Sequence, residues 1–250
     1  MARVLLRRAL LPAAAGLVGW GAGNYGKSMW NSHMYLYVKK TDEMNDKKIR
    51  INGRIDGVRV GDFRRQYHGI ICSKKHSHLC FFDCRDKSAS VDIVMTTNGG
   101  YSRDEQVILS LIALHKGTFN FYVNRYACSA GTRIAFACDR IKMTNFSLIS
   151  PIDAQISNSV GNPKEPVSYL KVLRSPELYP LPYILMARLS KTEDDNFLIE
   201  MEAKGNNFKK DKFVDLFLNE RVPHDALYNY AKVKDLGLRI DLVDEIEGSS

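Results

Sequence analysis

Tyr126-Ala127-Cys128-Ser129-Ala130-Gly131-Thr132 is the stretch on which the reading of the fold turns. Upstream of it, Phe119 to Asn124 is an aromatic-rich run that reads as a strand. Downstream, Ser129 to Cys138 is rich in small residues and reads as a helix, and Arg140 to Met143 returns to strand character. A serine therefore stands where a strand ends and a helix begins. The positive end of a helix stabilises negative charge on an oxygen placed there. The same position equally suits a serine that only caps the helix.

Working outward, Lys48 to Asp56 alternates, with Ile49, Ile51 and Ile55 marking a strand broken by a turn at Asn52-Gly53. A helix or partial helix is expected through Phe63 to Tyr67. Val91 to Thr96 reads as a short buried strand that runs into Asn98-Gly99-Gly100. Asp104 to His115 reads as an amphipathic helix with Val107, Leu111 and Leu114 on its apolar face. Strand and helix thus alternate, the pattern of an α/β fold with parallel strands. The glycine loop and the serine turn then fall at the carboxyl ends of neighbouring strands, where open α/β sheets place ligands. Pro163, Pro166, Pro176, Pro180 and Pro182 cut the following segment into short pieces. Two or three helices are expected to close the chain, the last from about His224 to Leu236.

With 250 residues the chain is long enough for one large core or two small ones. The net charge of +8 is spread over dispersed lysines and arginines without a basic, aromatic-interleaved stripe, which argues against a nucleic-acid partner. Five cysteines, an odd number in no regular framework, point to a reducing compartment. Cys72, His76, His78, Cys80 and Cys84 are zinc-type ligands crowded together, but Cys-x3-His-x-His-x-Cys-x3-Cys is not the spacing of a known zinc module. Leu79-Cys80-Phe81-Phe82 reads more simply as buried strand. No metal and no cofactor are expected.

The N-terminus differs from the rest. Met1 to Thr41 contains no Asp or Glu, while Arg3, Arg7, Arg8 and Lys27 supply positive charge, the composition of a mitochondrial targeting segment. Ala9 to Tyr25 is apolar and carries Gly16, Gly19, Gly21 and Gly23, small residues at spacings that suit close helix packing in a membrane. The expected organisation is a targeting or membrane-anchor helix over 1–30, a linker over 31–47 and a folded domain over 48–250.

Several ordered motifs resemble one family. Ser129-Ala-Gly-Thr, the following Asp139-Arg-Ile-Lys-Met143, and Ser150-Pro-Ile-Asp-Ala-Gln155 are similar to motifs of the serine dehydrogenase proteinase family. That family is related to signal-peptide peptidase A and, more distantly, to Clp protease and the crotonases. Asn98-Gly99-Gly100 resembles its Pro-Gly-Gly loop, Ile51 to Ile55 its first Clp-type strand, and His224-Asp225 through Leu236-Gly237-Leu238 its closing segment. The resemblance covers roughly residues 48 to 245 and implies a Clp/crotonase-like fold, a parallel-sheet β-β-α superhelix.

Carried over residue by residue, the resemblance makes Ser129 the nucleophile. The backbone N–H groups of Gly100 and Ala130 would form an oxyanion hole, with Gly99 shaping the loop. No histidine occurs between Ser129 and His224, so a Clp-type histidine base is not evident. Signal-peptide-peptidase relatives use a lysine, and Lys164 is the best-placed candidate, with Lys171 second and His224-Asp225 a third possible approach. Asn98, Ser150 and Ala154 depart from the family's proline, glycine and proline. The expectation is a peptidase-like domain kept as an accessory subunit of a mitochondrial inner-membrane complex, or a self-oligomer, touching lipid through its N-terminal segment. The alternative is an active, membrane-anchored mitochondrial peptidase of the Ser/Lys type, cutting peptides through Ser129. A crotonase-like acyl-CoA binder ranks last, because no adenine-recognising element can be read.

Overall fold

Residues 48–71, 88–157, 166–204 and 207–246 are described by the computed structural model. The alternating stretch forms β1 (Lys48–Asn52), and the amphipathic run after it forms α1 (Gly57–Ile71). Val60, Phe63, Tyr67 and Ile71 recur at helical spacing and are the residues α1 buries. Next come β2 (Val91–Thr97), α2 (Ser102–Leu114), β3 (Phe119–Ala127), α3 (Ala130–Ala137) and β4 (Arg140–Met143). β1, β2, β3 and β4 are neighbours in that order and pair in parallel. The short β5 (Leu148–Ile149) pairs in parallel with the end of β3, and β8 (Ile240–Leu242) adds a parallel strand beside β4. The α/β architecture with parallel strands is therefore as the alternation predicts.

Side chains from one face of the sheet, aligned across the paired strands, line the main core. Ile49, Ile51, Ile93, Met95, Phe119, Phe121, Val123, Ile141 and Met143 are all buried in it. Burying a side chain of this size contributes roughly 1.5–3 kcal/mol, and helix residues such as Phe63, Phe136 and Phe213 share the same core. A smaller cluster lies apart from it. The antiparallel pair β6 (Gln155–Ile156) and β7 (Val167–Ser168) leads into α4 (Tyr169–Arg174), which packs on the long α5 (Leu181–Lys204). Ile156, Tyr169, Val172, Tyr183 and Ala187 form its apolar centre.

Two expectations need correction. The helix after the glycine loop is present as α2, but its buried residues are Asp104, Glu105, Ile108 and Ile112. Val107 and Leu114 face solvent. The face reads wrongly from hydrophobicity because two carboxylates are buried there, one of them, Glu105, beside a buried arginine of α3. The closing helix expected from His224 is also shorter. After α6 (Lys210–Phe217), the chain runs extended enough for Tyr228 to bridge Ile149, and only then forms α7 (Tyr230–Val233) and a 3-10 turn (Lys234–Leu236).

The expected N-terminal helix and linker, the Cys72–Cys84 cluster and Lys164 lie outside the described residues. Among the described residues, no helix is long and apolar enough to cross a membrane. Within α1, a Cβ added at Gly61 meets no atom within 4 Å. Gly61→Ala is therefore expected to stabilise the protein by about 0.5–1 kcal/mol through helix propensity alone, read as a rise in the urea midpoint.

Candidate active site

β2 and β3 end side by side, and the two loops that follow them meet. A shift in register between Met95 and Thr97, with Arg125 at φ 72°, re-aims the end of β3 before the turn. Ser129 then adopts φ 51° and ψ −117° at the first position before α3. An L-residue in this region is strained, and such strain persists only where surrounding contacts over-determine it. Cys128 N–H donates to Thr97 O at 2.8 Å, Gly131 N–H to Cys128 O at 2.8 Å, and Arg133 N–H to Ser129 O at 3.1 Å. Ser129 N–H donates to Ser150 Oγ at 2.8 Å. The serine side chain is half-buried and, among the described residues, its Oγ makes no hydrogen bond.

The glycine loop is shaped around this serine. Gly99 has φ +102°, and a Cβ there would come within 2.7 Å of Ser129 Cβ and 3.2 Å of its Oγ. Gly99 O accepts from Ile55 N–H at 2.9 Å, and Tyr101 N–H donates to Ile55 O at 3.0 Å. Successive peptide groups of an extended chain point to opposite sides, so the Gly100 N–H is turned away from Ile55, toward the serine turn. Among the described residues, neither the Gly100 N–H nor the Ala130 N–H is engaged. Two free donors beside a half-buried serine hydroxyl are what an oxyanion hole requires. The neighbouring Cys128 does not compete as nucleophile, since burial pushes its thiol up and keeps it protonated.

The candidate bases are placed unequally. Lys171 lies on the exposed side of α4 and lines an open groove with Arg174, Tyr179, Glu220 and Arg221. It is not the desolvated amine that activation of a serine calls for. His224 does not pair with Asp225. Its Nδ1 lies 2.8 Å from Oδ1 of Asp153, a carboxyl only 4 % exposed, and Asp153 Oδ2 accepts from Gln155 Nε2 at 2.8 Å. A carboxylate partner makes Nδ1 the donor, and in a neutral ring Nε2 is then the acceptor. Asp153 lies three residues along the chain from Ser150.

Sequence reasoning missed a buried charge cluster behind the turn. Arg133, 4 % exposed and in the first turn of α3, ion-pairs with Asp194 of α5, and its Nε lies 3.6 Å from Glu105 Oε1 of α2. Its guanidinium also stacks 5.0 Å from the Phe197 ring centroid. Tyr169 OH donates to Asp194 Oδ2 at 2.5 Å. Glu105, stripped of water, is pushed up to about 7, although Arg133 opposes the shift. The one signal in the sequence was an arginine inside a helix of otherwise small and apolar residues.

A family model described as ClpP-like SDH-type serine proteinase matches residues 81–245. The chain belongs to this family. Its curated relatives MJ0137 and MJ1495 of Methanocaldococcus jannaschii are each 25% identical to it. MJ0137 aligns over 62% of this chain and 54% of its own length. MJ1495 aligns over 60% of this chain and 52% of its own length. The chain spans about half the length of these relatives. Among solved structures, a serine-to-alanine variant of the 1510-N membrane-bound stomatin-specific protease superimposes with a TM-score of 0.52 at 15% identity, covering 80% of this chain and 79% of that one. A lysine-to-alanine variant of the same protease, in complex with a substrate peptide, gives 0.50 at 15% identity, covering 80% and 75%. These likenesses establish the fold. The chain is a peptidase-like, ClpP-fold protein.

Proposed function

We propose that Ser129 is the nucleophile of a serine peptidase and that the substrate is a peptide. The observation that carries this reading is the junction of the strained serine turn with the unengaged N–H groups of Gly100 and Ala130. Ser129 Oγ attacks the scissile carbonyl carbon and gives its proton to a base, and the carbonyl oxygen becomes an oxyanion on those two N–H groups. Collapse breaks the C–N bond, the amine leaves with the proton, and water then releases the acyl group from Ser129. Lys164 remains the lysine assigned as base, from the family resemblance. The peptide as substrate class draws support from the structural neighbour that was captured with a substrate peptide.

A fluorophosphonate probe tests the nucleophile, since Oγ–P bond formation expels fluoride only at an activated serine. The full-length protein is expected to label at one site, and Ser129→Ala to abolish labelling while leaving the melting temperature within a few degrees. Absence of labelling in the parent protein overturns this reading. We further propose that residues 1–30 direct the protein to mitochondria and hold it at the inner membrane; import followed by carbonate extraction checks this, and release of the protein in the soluble fraction defeats the anchor.

A second reading, in which the domain serves as an accessory subunit of a mitochondrial membrane assembly, is favoured by two observations. Among the described residues no base lies within hydrogen-bond reach of Ser129 Oγ. Leu181, Leu185 and Leu189 also line one exposed stripe of α5. Stoichiometric co-migration with a large complex, together with an unlabelled Ser129, selects this reading. A labelled protein that migrates alone rejects it.

A further inference from the structure

We propose that Ser150 is the positioning residue of the serine turn: its hydroxyl holds the Ser129 backbone N–H and thereby decides which N–H groups stay free for an oxyanion. The proposal rests on Ser129 as the reactive residue, and it deepens that reading by naming what holds it in place.

The geometry is directional. Ser150 is 1% exposed, and its Oγ receives the Ser129 N–H at 2.8 Å while lying 3.1 Å from Pro151 O. The Ser129 N–H takes a lone pair of this hydroxyl, and its one hydrogen is shared between Pro151 O and the neighbouring Cys128 sulfur. Ser150 is itself held, because its N–H donates to Thr132 Oγ1 at 3.1 Å and Thr132 Oγ1 donates to Ala127 O at 2.6 Å. These bonds close a ring from the end of β3, through the first turn of α3, across to Ser150 and back to Ser129. The ring opposes relaxation of the positive φ at Ser129, which is disfavoured in an L-residue.

There is a second consequence. Three backbone N–H groups, those of Gly100, Ser129 and Ala130, come from the loops that meet at the turn. Ser150 occupies the middle one, leaving Gly100 and Ala130 as the pair that faces a substrate oxygen. The family pattern has glycine where this chain has Ser150, and glycine offers no side-chain acceptor.

Ser150→Ala removes the acceptor and keeps Cβ, so the fold is expected to survive; Ser150→Gly restores the family's residue and serves as the second variant. Two measurements on the full-length protein test the assignment. In amide hydrogen exchange, both variants should speed exchange at Ser129 by roughly tenfold, as expected for loss of one hydrogen bond, and leave Ile93 to Met95 of β2 unchanged. In fluorophosphonate labelling, the rate at Ser129 should fall on the order of tenfold to a hundredfold at an unchanged melting temperature. Equal acceleration of exchange in both segments marks a general packing role and overturns the proposal, as does unchanged exchange at Ser129 or an unchanged labelling rate. If the parent protein does not label yet exchange changes only at Ser129, the nucleophile reading falls while the hold of Ser150 on the turn stands.

Discussion

Gly100→Ala is expected to destabilise the protein by about 3 kcal/mol and to slow labelling at Ser129 by on the order of a hundredfold. A Cβ at this position would lie 1.9 Å from Ile55 O, 2.6 Å from Ile55 C and 2.7 Å from Ile55 Cα. All three are backbone atoms, so no rotamer change relieves the overlap. The loop must instead move off Ile55 and lose the bonds Ile55 N–H to Gly99 O and Tyr101 N–H to Ile55 O. Each such bond contributes roughly 0.5–1.5 kcal/mol, and overpacking adds 1–3 kcal/mol. The same movement takes the Gly100 N–H away from the oxyanion position, where one donor is worth on the order of a hundredfold in rate. Urea denaturation and probe labelling measure the two effects separately. A Gly100→Ala protein with parental stability would show that this close approach does not exist in solution. Gly61→Ala, with open space around its Cβ, is the control of opposite sign.

The second large effect concerns Glu105 and pH. Its carboxyl is pushed from an ordinary 4.5 up to about 7, chiefly by burial and further by Glu193, against the pull of Arg133. Between these values the folded protein keeps a proton that the unfolded chain has already released. Stability therefore declines as pH rises through this window and levels off above about 7. The full span is worth about 3 kcal/mol as an upper bound. Glu105→Gln places a neutral amide of nearly the same shape beside Arg133. It is expected to match the parent near pH 4.5, below the window, and to exceed it by up to about 3 kcal/mol above pH 7. Urea midpoints from pH 4.5 to 8 read the difference, and parallel profiles for the two proteins would sink the assignment. Arg133→Met is expected to act in the opposite sense, because it leaves Asp194 and Glu105 buried without their cation. Removing one partner of a buried pair costs roughly 3–5 kcal/mol.

Much of the fold was legible because it depends on local pattern. The alternation at Lys48, the apolar runs at Val91 and Phe119, and the small residues after Ser129 each specify an element through backbone sterics and burial period. Strands alternating with helices then require right-handed parallel crossovers, which bring the glycine loop and the serine turn to the same edge of the sheet. The family motifs name the same two loops. Val107 and Leu114 misled because hydrophobicity alone chooses a helix face. Here the buried face carries Asp104 and Glu105, and the place of Glu105 makes sense only beside Arg133 of another helix.

Hydrogen bonds between distant parts of the chain were not legible. Asp153 and His224 are 71 positions apart, and Ser129 and Ser150 are 21 apart. Nothing local distinguishes Asp225 from Asp153 as the partner of His224. The choice follows from the bridge between Ile149 and Tyr228, which runs the two segments antiparallel and sets residue 224 opposite residue 153. The sequence alone therefore determined a parallel α/β sheet with a serine at a strand-to-helix turn beside a glycine loop. The tertiary structure alone decided that this serine is held at positive φ, that Ser150 takes its N–H, and that Gly100 and Ala130 keep theirs free. Backbone preference and burial period are properties of a few neighbouring residues. The direction of an N–H in a loop depends on which distant acceptor the packed sheet brings within reach.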